Sequence, residues 1–183
     1  MKELSLHILD IAMNGIKAGA SALQLTLSQK GGVLTVTITD NGCGMDEQTL
    51  ARLSDPFFTT RTTRKVGMGV PLYRLAAQQT GGDVEIQSEV GKGTCLTAVF
   101  HTDHIDCAPL GDITQTVLTI IQGYPAVDLV FRHEIGGQAV ELDTGLLKQQ
   151  LDGVPIQSFE ILQWIQEYIT EQYASLSQKG NLL

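Results

Sequence analysis

The polar residues of the first predicted helix could bind a metal ion and a phosphate. Asp10, Asn14 and Lys17 stand at i, i+4 and i+7, so their side chains share one helix face. Carboxylate and amide oxygens suit Mg²⁺, which takes one or two protein ligands and completes its shell with phosphates and water. A lysine one turn further on could contact a phosphate as a point charge. The alternative is a solvated polar face.

A second candidate is Asp40, a carboxylate at the end of a predicted strand. Residues 34–39 alternate between apolar and polar side chains, and Asp40 is in phase with the apolar ones. A charge on that face is costly unless it has a partner. Its carboxylate could accept a hydrogen bond from an exocyclic amine such as N6 of adenine, where guanine presents an acceptor. The alternative is an ordinary Asp-Asn-Gly turn.

A basic and strongly polar segment lies between residues 55 and 69. Arg61, Arg64 and Lys65 fall within five positions, although the whole chain has only 12 lysine and arginine residues. The segment has too few apolar side chains to pack, so it could form a mobile cationic lid over phosphates. A solvated loop is the alternative.

Two glycines, Gly67 and Gly69, lead into a helix that Pro71 is predicted to begin. Glycines let a backbone approach a ligand closely, and the free N–H groups of a helix N-terminus attract anions. The pattern is neither a dinucleotide-binding fingerprint, because the third glycine is missing, nor a P-loop, because no Gly-Lys-Ser/Thr follows. Taken alone, these glycines are a weak sign of a phosphate site.

Helices and two hairpins would position these residues. The hydrophobic periodicity predicts a helix over residues 3–17, a hairpin over 23–40, helices over 47–53 and 71–79, and a second hairpin over 84–100. Beyond a connector, it predicts a helix over 112–122, strands over 126–132 and 139–142, and two closing helices. The last helix carries an apolar stripe, typical of core packing and alternatively a partner surface: Ile161, Trp164, Ile165, Tyr168 and Ile169.

Five short motifs in the first hundred residues resemble, in order and spacing, those of the GHKL superfamily (gyrase, heat-shock chaperone, histidine kinase, MutL). The resemblance is strongest to the ATP-binding domain of sensor histidine kinases, and it covers roughly residues 3–100. The motifs are Asp10-Ile11-Ala12-Met13-Asn14, Asp40-Asn41-Gly42-Cys43-Gly44, Asp55-Pro56-Phe57-Phe58-Thr59-Thr60, Gly67-Met68-Gly69 and Gly91-Lys92-Gly93-Thr94.

The resemblance implies an α/β (α+β) fold of the Bergerat type. This is a two-layer sandwich in which a mixed, mostly antiparallel sheet is backed by helices. The chain would comprise a histidine-kinase-like ATP-binding domain over residues 1–101 and a small α/β C-terminal extension of unknown role over residues 102–183. ATP would lie between the first helix and the lid.

The resemblance also implies roles for individual residues. Asn14 matches the position that coordinates Mg²⁺, and Lys17 matches a phosphate-contacting lysine. Asp40 matches the adenine-binding aspartate, with Gly42 and Gly44 on the pocket floor. The remaining candidates, which belong to the lid, the phosphate side and the support of the adenine site, are Thr59, Thr60, Arg61, Lys65, Gly67, Gly69 and Thr94.

The chain departs from the pattern of the family's ATPases at Asp10. Gyrase, chaperone and MutL ATPases carry a glutamate there as general base, and histidine kinases often carry an amide. Because aspartate is one methylene shorter, Asp10 is a candidate base or metal support that leaves hydrolysis and phosphotransfer open. No helix pair with a phosphoacceptor histidine precedes it, so we expect a stand-alone ATP·Mg²⁺ module that regulates or phosphorylates a partner protein. The alternative is a non-catalytic nucleotide sensor that acts through residues 102–183.

Composition limits the partners and the cellular compartment that we expect for this chain. A net charge of −8 argues against broad nucleic-acid binding. No apolar run is long enough for a membrane span, and the N-terminus lacks the layout of a signal peptide. Three scattered cysteines form no disulfide framework, so we expect a cytoplasmic protein without membrane contacts.

Overall fold

The computed structural model describes residues 3–54 and 69–180, with only the backbone for residues 54 and 178–180. The elements of the first hundred residues are α1 (Leu4–Lys17), β1 (Ala22–Lys30), β2 (Val33–Asp40), α2 (Glu47–Ser54), α3 (Gly69–Gln79), β3 (Val84–Glu89) and β4 (Gly93–His101). Those that follow are α4 (Ile113–Gly123), β5 (Asp128–Ile135), β6 (Gln138–Asp143), α5 (Thr144–Gln150) and α6 (Phe159–Gly180).

The six strands of the described residues form one mixed sheet in the order β3-β4-β2-β1-β5-β6. The strands β1 and β2 pair antiparallel, with Leu25 opposite Ile38. On its other side β1 pairs parallel with β5, so that Leu25 also neighbours Phe131. The other three pairings are antiparallel. This mixed, mostly antiparallel sheet with its helices confirms the expected fold class.

The alternation of side chains explains why one face of the sheet carries the core. On β1, Leu23, Leu25 and Leu27 are fully buried, whereas the intervening residues are polar. Four helices add buried side chains to the same core: Ile8 and Ile11 from α1, Tyr73 and Ala77 from α3, Val117 and Ile120 from α4, and Ile165 and Ile169 from α6. The helices therefore form the second layer of a two-layer sandwich.

The predicted extension continues the sheet that begins in the first hundred residues. Strands β5 and β6 prolong it beyond β1, α4 packs against α1, and α6 packs against α4 and β6. The apolar stripe of α6 is divided. Ile165 and Ile169 are fully buried in the core, while Trp164 and Tyr168 remain partly exposed.

Two element boundaries differ from the sequence prediction. Helix α3 begins at Gly69, so Pro71 is its third residue, which the first turn tolerates because the N–H groups there have no intrahelical acceptor. Strand β5 starts at Asp128 and continues to Ile135, because the chain reverses only at Gly136 and Gly137. Both glycines have left-handed φ values, +58° and +81°, of the kind that two-residue hairpin turns need.

Within residues 3–54 and 69–180, no helix combines the length and apolarity that crossing a bilayer requires.

Candidate nucleotide-binding site

Asp40 ends β2, at the strand end where the sequence pattern predicted it, and it lies opposite Thr94 of β4. The carboxylate is half-buried, and its Oδ1 accepts a hydrogen bond from the backbone N–H of Gly42 at 2.8 Å. Burial raises the pKa of the Asp40 carboxyl, while hydrogen bonds from the backbone of Gly42 and Thr94 act in the opposite direction. A further donor from a ligand would favour the charged form in the same way.

Glycines on three sides let the backbone approach Asp40 closely. A Cβ on Gly15 of α1 would lie 2.8 Å from the Asp40 carboxylate, and one on Gly42 would lie 2.9 Å from its Oδ1. On the third side, Gly93 has a φ of +109°, and a Cβ there would collide with the carbonyl oxygen of Asp40. Asp40 thus lies in a cradle of three glycines, at positions where a larger side chain would collide with its carboxylate or with its backbone carbonyl.

The loop that follows Asp40 is tied down at several points. The side-chain oxygen of Asn41 accepts hydrogen bonds from the backbone of Ser21 and Ala22, each at 2.9 Å. The N–H of Cys43 donates to the carbonyl of Ala18 at 2.9 Å. Gly44 has a φ of +65° and lies against the carbonyl of Glu89, where a Cβ would collide. The surroundings of Asp40 are therefore preorganised by the end of α1 and the β3–β4 turn.

Ser88 is a residue of this site that the sequence motifs missed. It lies opposite Thr94 in the β3–β4 hairpin, and the two hydroxyl oxygens are 2.9 Å apart. Ser88 also donates to the carbonyl of Gly93 and accepts from the N–H of Met45, each at 2.9 Å. Thr94 therefore belongs to a hydroxyl network that fixes the strand end beside Asp40. The sequence feature that could have identified Ser88 is its position across the predicted hairpin.

The polar face of α1 lies next to this cradle. Asp10, Asn14 and Lys17 are exposed along α1, and Asn14 directly precedes Gly15, which contacts Asp40. A Cβ on Gly69 would lie 3.5 Å from the Cβ of Asp10, so the first residue of α3 packs beside Asp10. The structure thus brings together three of the four predicted segments: the α1 face, the Asp40 loop and the start of α3.

The predicted lid lies outside the described residues. Thr59, Thr60, Arg61, Lys65 and Gly67 all fall within 55–68, so their assignments stay predictions. Gly69 is the one phosphate-side glycine whose position is described.

The described residues include no group of three or more His, Cys, Asp or Glu side chains that could hold a metal ion. A magnesium ion near Asn14 would take most of its ligands from phosphate oxygens and water, which is how Mg²⁺ is commonly held beside nucleotides. The exposed amide of Asn14, one residue from the Asp40 cradle, fits that mode of binding.

Comparison with known families identifies the class of this domain. Residues 2–104 match the model of the family described as histidine kinase-, DNA gyrase B-, and HSP90-like ATPase. The match covers more than half of the chain, and the chain belongs to this family. Its ATPase domain implies that the matched part binds ATP.

Several relatives are bacterial sensor kinases. The sensor protein kinase FleS of Pseudomonas aeruginosa is 37% identical over 110 residues, which cover 59% of this chain and 27% of that protein. The signal transduction histidine-protein kinase AtoS of Escherichia coli is 30% identical over 100 residues, covering 55% and 16%. A putative sensor protein of Shewanella frigidimarina is 30% identical over 101 residues, covering 55% and 15%. The chain therefore spans less than a third of the length of each of these relatives.

Proposed function

We propose that this protein binds ATP together with Mg²⁺ between α1, the loop after β2 and the start of α3, and that it regulates or phosphorylates a partner protein. The observation that carries the proposal is the half-buried carboxylate of Asp40, held in a cradle of Gly15, Gly42 and Gly93. A carboxylate in that position can accept a hydrogen bond from the amino group of adenine. Guanine presents a carbonyl oxygen there, so ATP is preferred over GTP.

The other residues are assigned to successive parts of the nucleotide, from its base to its phosphates. Gly42 and Gly44 form the pocket floor, and Thr94 holds the strand end that carries Asp40. Asn14 is the protein ligand of Mg²⁺, which when bound neutralises phosphate charge. Lys17 contacts a phosphate, and Gly69 brings the N-terminus of α3 toward the phosphates. The lid residues complete the phosphate side: Thr59, Thr60, Arg61, Lys65 and Gly67.

Whether the γ-phosphate is hydrolysed or transferred depends on Asp10. Its carboxylate is exposed on α1 beside the first residue of α3, where it can orient water or support the metal ion. A general base must come within hydrogen-bond reach of the attacking group, and aspartate reaches less far than glutamate. We therefore expect slow hydrolysis at most, with transfer to a partner protein or nucleotide-dependent regulation as the main activity.

Calorimetry with ATP and MgCl₂ tests the nucleotide site. The wild-type protein should bind ATP, and Asp40→Asn should weaken binding about 10- to 100-fold, since a hydrogen bond to a charged acceptor contributes about 1.5–3 kcal/mol. Asp106→Asn is the matched control, because Asp106 is an exposed carboxylate in the connector after β4. Equal affinity of Asp40→Asn and wild type would contradict the adenine-reading role.

Incubation with γ-labelled ATP, alone and with cell extract, separates the possible activities. Label on a protein supports a kinase that acts in trans. Free phosphate that is lost in Asp10→Ala supports a slow ATPase. Neither product, with ATP binding intact, supports a nucleotide sensor that acts through residues 102–183. The sensor is favoured by one observation, the pair of partly exposed aromatic side chains on α6.

A further inference from the structure

Two aromatic side chains lie on the outer side of α6, outside the hydrophobic core. Trp164 and Tyr168 are 47% and 38% exposed, and their rings stack with centroids 5.1 Å apart and planes 13° from parallel. The adjacent Ile165 and Ile169 are fully buried and hold the helix on the sheet. A rigid, exposed aromatic pair of this kind is typical of the centre of a binding surface.

A groove of about 410 Å³ begins at this aromatic pair. It runs between α6, α5 and the outer strands of the sheet, and Val130 and Leu146 add apolar side chains to its walls. Leu146 is 57% exposed. The aromatic pair is therefore part of a groove lined by both apolar and polar side chains, with Gln24, Asp143 and Gln150 among the polar ones, which we call the α5–α6 groove.

One residue on the outer edge of β6 next to the groove, Glu141, is already hydrogen-bonded to α6 through its backbone. The side-chain oxygen of Gln172 accepts from the N–H of Glu141 at 3.0 Å, and its amide nitrogen donates to the carbonyl of Glu141 at 3.1 Å. These bonds use the backbone groups that an added strand would need. The groove therefore favours an occupant that brings its own backbone hydrogen bonds, as a helix does.

The charges around the groove are predominantly acidic. Along the described side chains of α6, residues 159–177, the charged residues are Glu160, Glu167 and Glu171. On the sheet side, Arg132 contacts Glu141 and lies 3.5 Å from Glu134. This rim complements a positively charged partner, whereas a second copy of a chain with net charge −8 would be repelled.

We propose that the α5–α6 groove binds a basic amphipathic helix of a partner protein. Apolar side chains at i, i+3/i+4 and i+7 of that helix contact Trp164, Tyr168 and Leu146, and its lysine and arginine residues face the glutamates of α6. The proposal stands apart from the nucleotide site, because none of these residues belongs to the α1 face or the Asp40 cradle.

Titration with a designed peptide tests this proposal on the intact protein. The probe is a labelled leucine- and lysine-containing peptide of about 18 residues, five helical turns, with one apolar face. A peptide with the same leucines but glutamate in place of lysine is its control. Trp164 is the only tryptophan of the chain, so its fluorescence reports on the groove directly. We expect saturable binding of the basic peptide with a blue shift of Trp164 emission, and no binding of the acidic one.

Variants establish where the peptide binds. The double variant Tyr168→Ser/Leu146→Ser should weaken binding at least about 10-fold. Ile105→Ser, a 94% exposed apolar residue in the connector, should leave binding unchanged. The triple variant Glu160→Gln/Glu167→Gln/Glu171→Gln should weaken binding and reduce its dependence on salt.

Three results would overturn the proposal. These are absence of saturable binding of the basic peptide, equal binding of the basic and acidic peptides, and unchanged affinity in the double variant. Sedimentation provides a further check: a dimer of the wild type that Tyr168→Ser/Leu146→Ser dissociates would show that a second copy, not a basic helix, occupies the groove.

Discussion

The two halves of the sheet place titratable side chains in opposite kinds of surroundings. In the first half, Asp40 lies at a strand end among glycines, half-buried, next to the polar face of α1. In the second half, His133 is buried on β5, where its Nδ1 lies 2.7 Å from the hydroxyl of Tyr173 and the two rings meet edge to face. The carboxylate is surrounded by glycine backbone, whereas the imidazole packs against the protein's own aromatic ring.

This difference separates the proposed binding carboxylate, Asp40, from a structural polar group, His133. Both side chains are desolvated, which raises the pKa of Asp40 and lowers the pKa of His133 to about 4. Only Asp40 is surrounded by positions where a side chain would collide with it or with its backbone. Burial alone therefore does not separate the two groups, whereas the glycines around Asp40 do.

The largest expected effect tests whether the two halves form one folding unit. Phe131 is fully buried on β5 and neighbours Leu25 of β1. Phe131→Ala should cost about 3–5 kcal/mol of unfolding free energy, whereas Val130→Ala on the exposed face should cost less than about 1 kcal/mol. Urea unfolding, followed by Trp164 fluorescence and by far-UV circular dichroism, measures both. Coincident transitions support one unit, and two separate transitions would show that the halves unfold independently.

The next effect is a dependence of stability on pH that arises in the second half. Because the pKa of His133 falls from 6.5 to about 4 on folding, the unfolded chain binds more protons between these values. The stability that His133 contributes should therefore be fully present above pH 6.5. It should be lost as the pH decreases toward 4, a change of about 3 kcal/mol in the free energy of unfolding. The midpoints of urea unfolding, measured across this pH range, test the prediction. The loss should be smaller in His133→Gln, and an unchanged pH profile in that variant would contradict the account.

A smaller effect, on ATP binding and on stability, is expected in the first half. Gly15→Ala places a methyl group 2.8 Å from the Asp40 carboxylate, so we expect ATP binding to weaken about 10-fold. Stability should also fall, by about 1–3 kcal/mol, because the added Cβ would lie 2.8 Å from the Cβ and Cγ of Asp40, and calorimetry on the folded variant measures the loss of ATP binding separately. Gly123→Ala, at the end of α4 with no atom within 4 Å of the added Cβ, is the control. Calorimetry with ATP compares the affinities of Gly15→Ala and Gly123→Ala. Equal affinities would mean that the glycine cradle is not part of the ATP site.

Local patterns in the sequence predicted much of the first half of the fold. The helix that became α1, both hairpins and the phase of Asp40 follow from side-chain periodicity, which is set by neighbours along the chain. The family motifs include Asn14, Asp40 and Thr94, and the structure pairs Asp40 with Thr94 and places Gly15, the residue after Asn14, against Asp40.

Other features depend on contacts between distant parts of the chain. Nothing local shows that β5 pairs parallel with β1, because about a hundred residues separate the two strands. The division of the α6 stripe into buried and exposed side chains depends on the angle at which the helix meets β6. Ser88 carries no motif of its own, and its role becomes visible only through its neighbours Thr94 and Met45.

The most direct test of the account is a ¹⁵N-labelled amide titration with ATP and MgCl₂. We predict saturable shifts of the amides of Gly15, Gly42 and Thr94, which surround the Asp40 carboxylate, with the indole N–H of Trp164 unchanged. These shifts should be much weaker with GTP. Saturable shifts confined to β5, β6 and α6, or none at all near Asp40, would contradict the claim that ATP binds in the cradle.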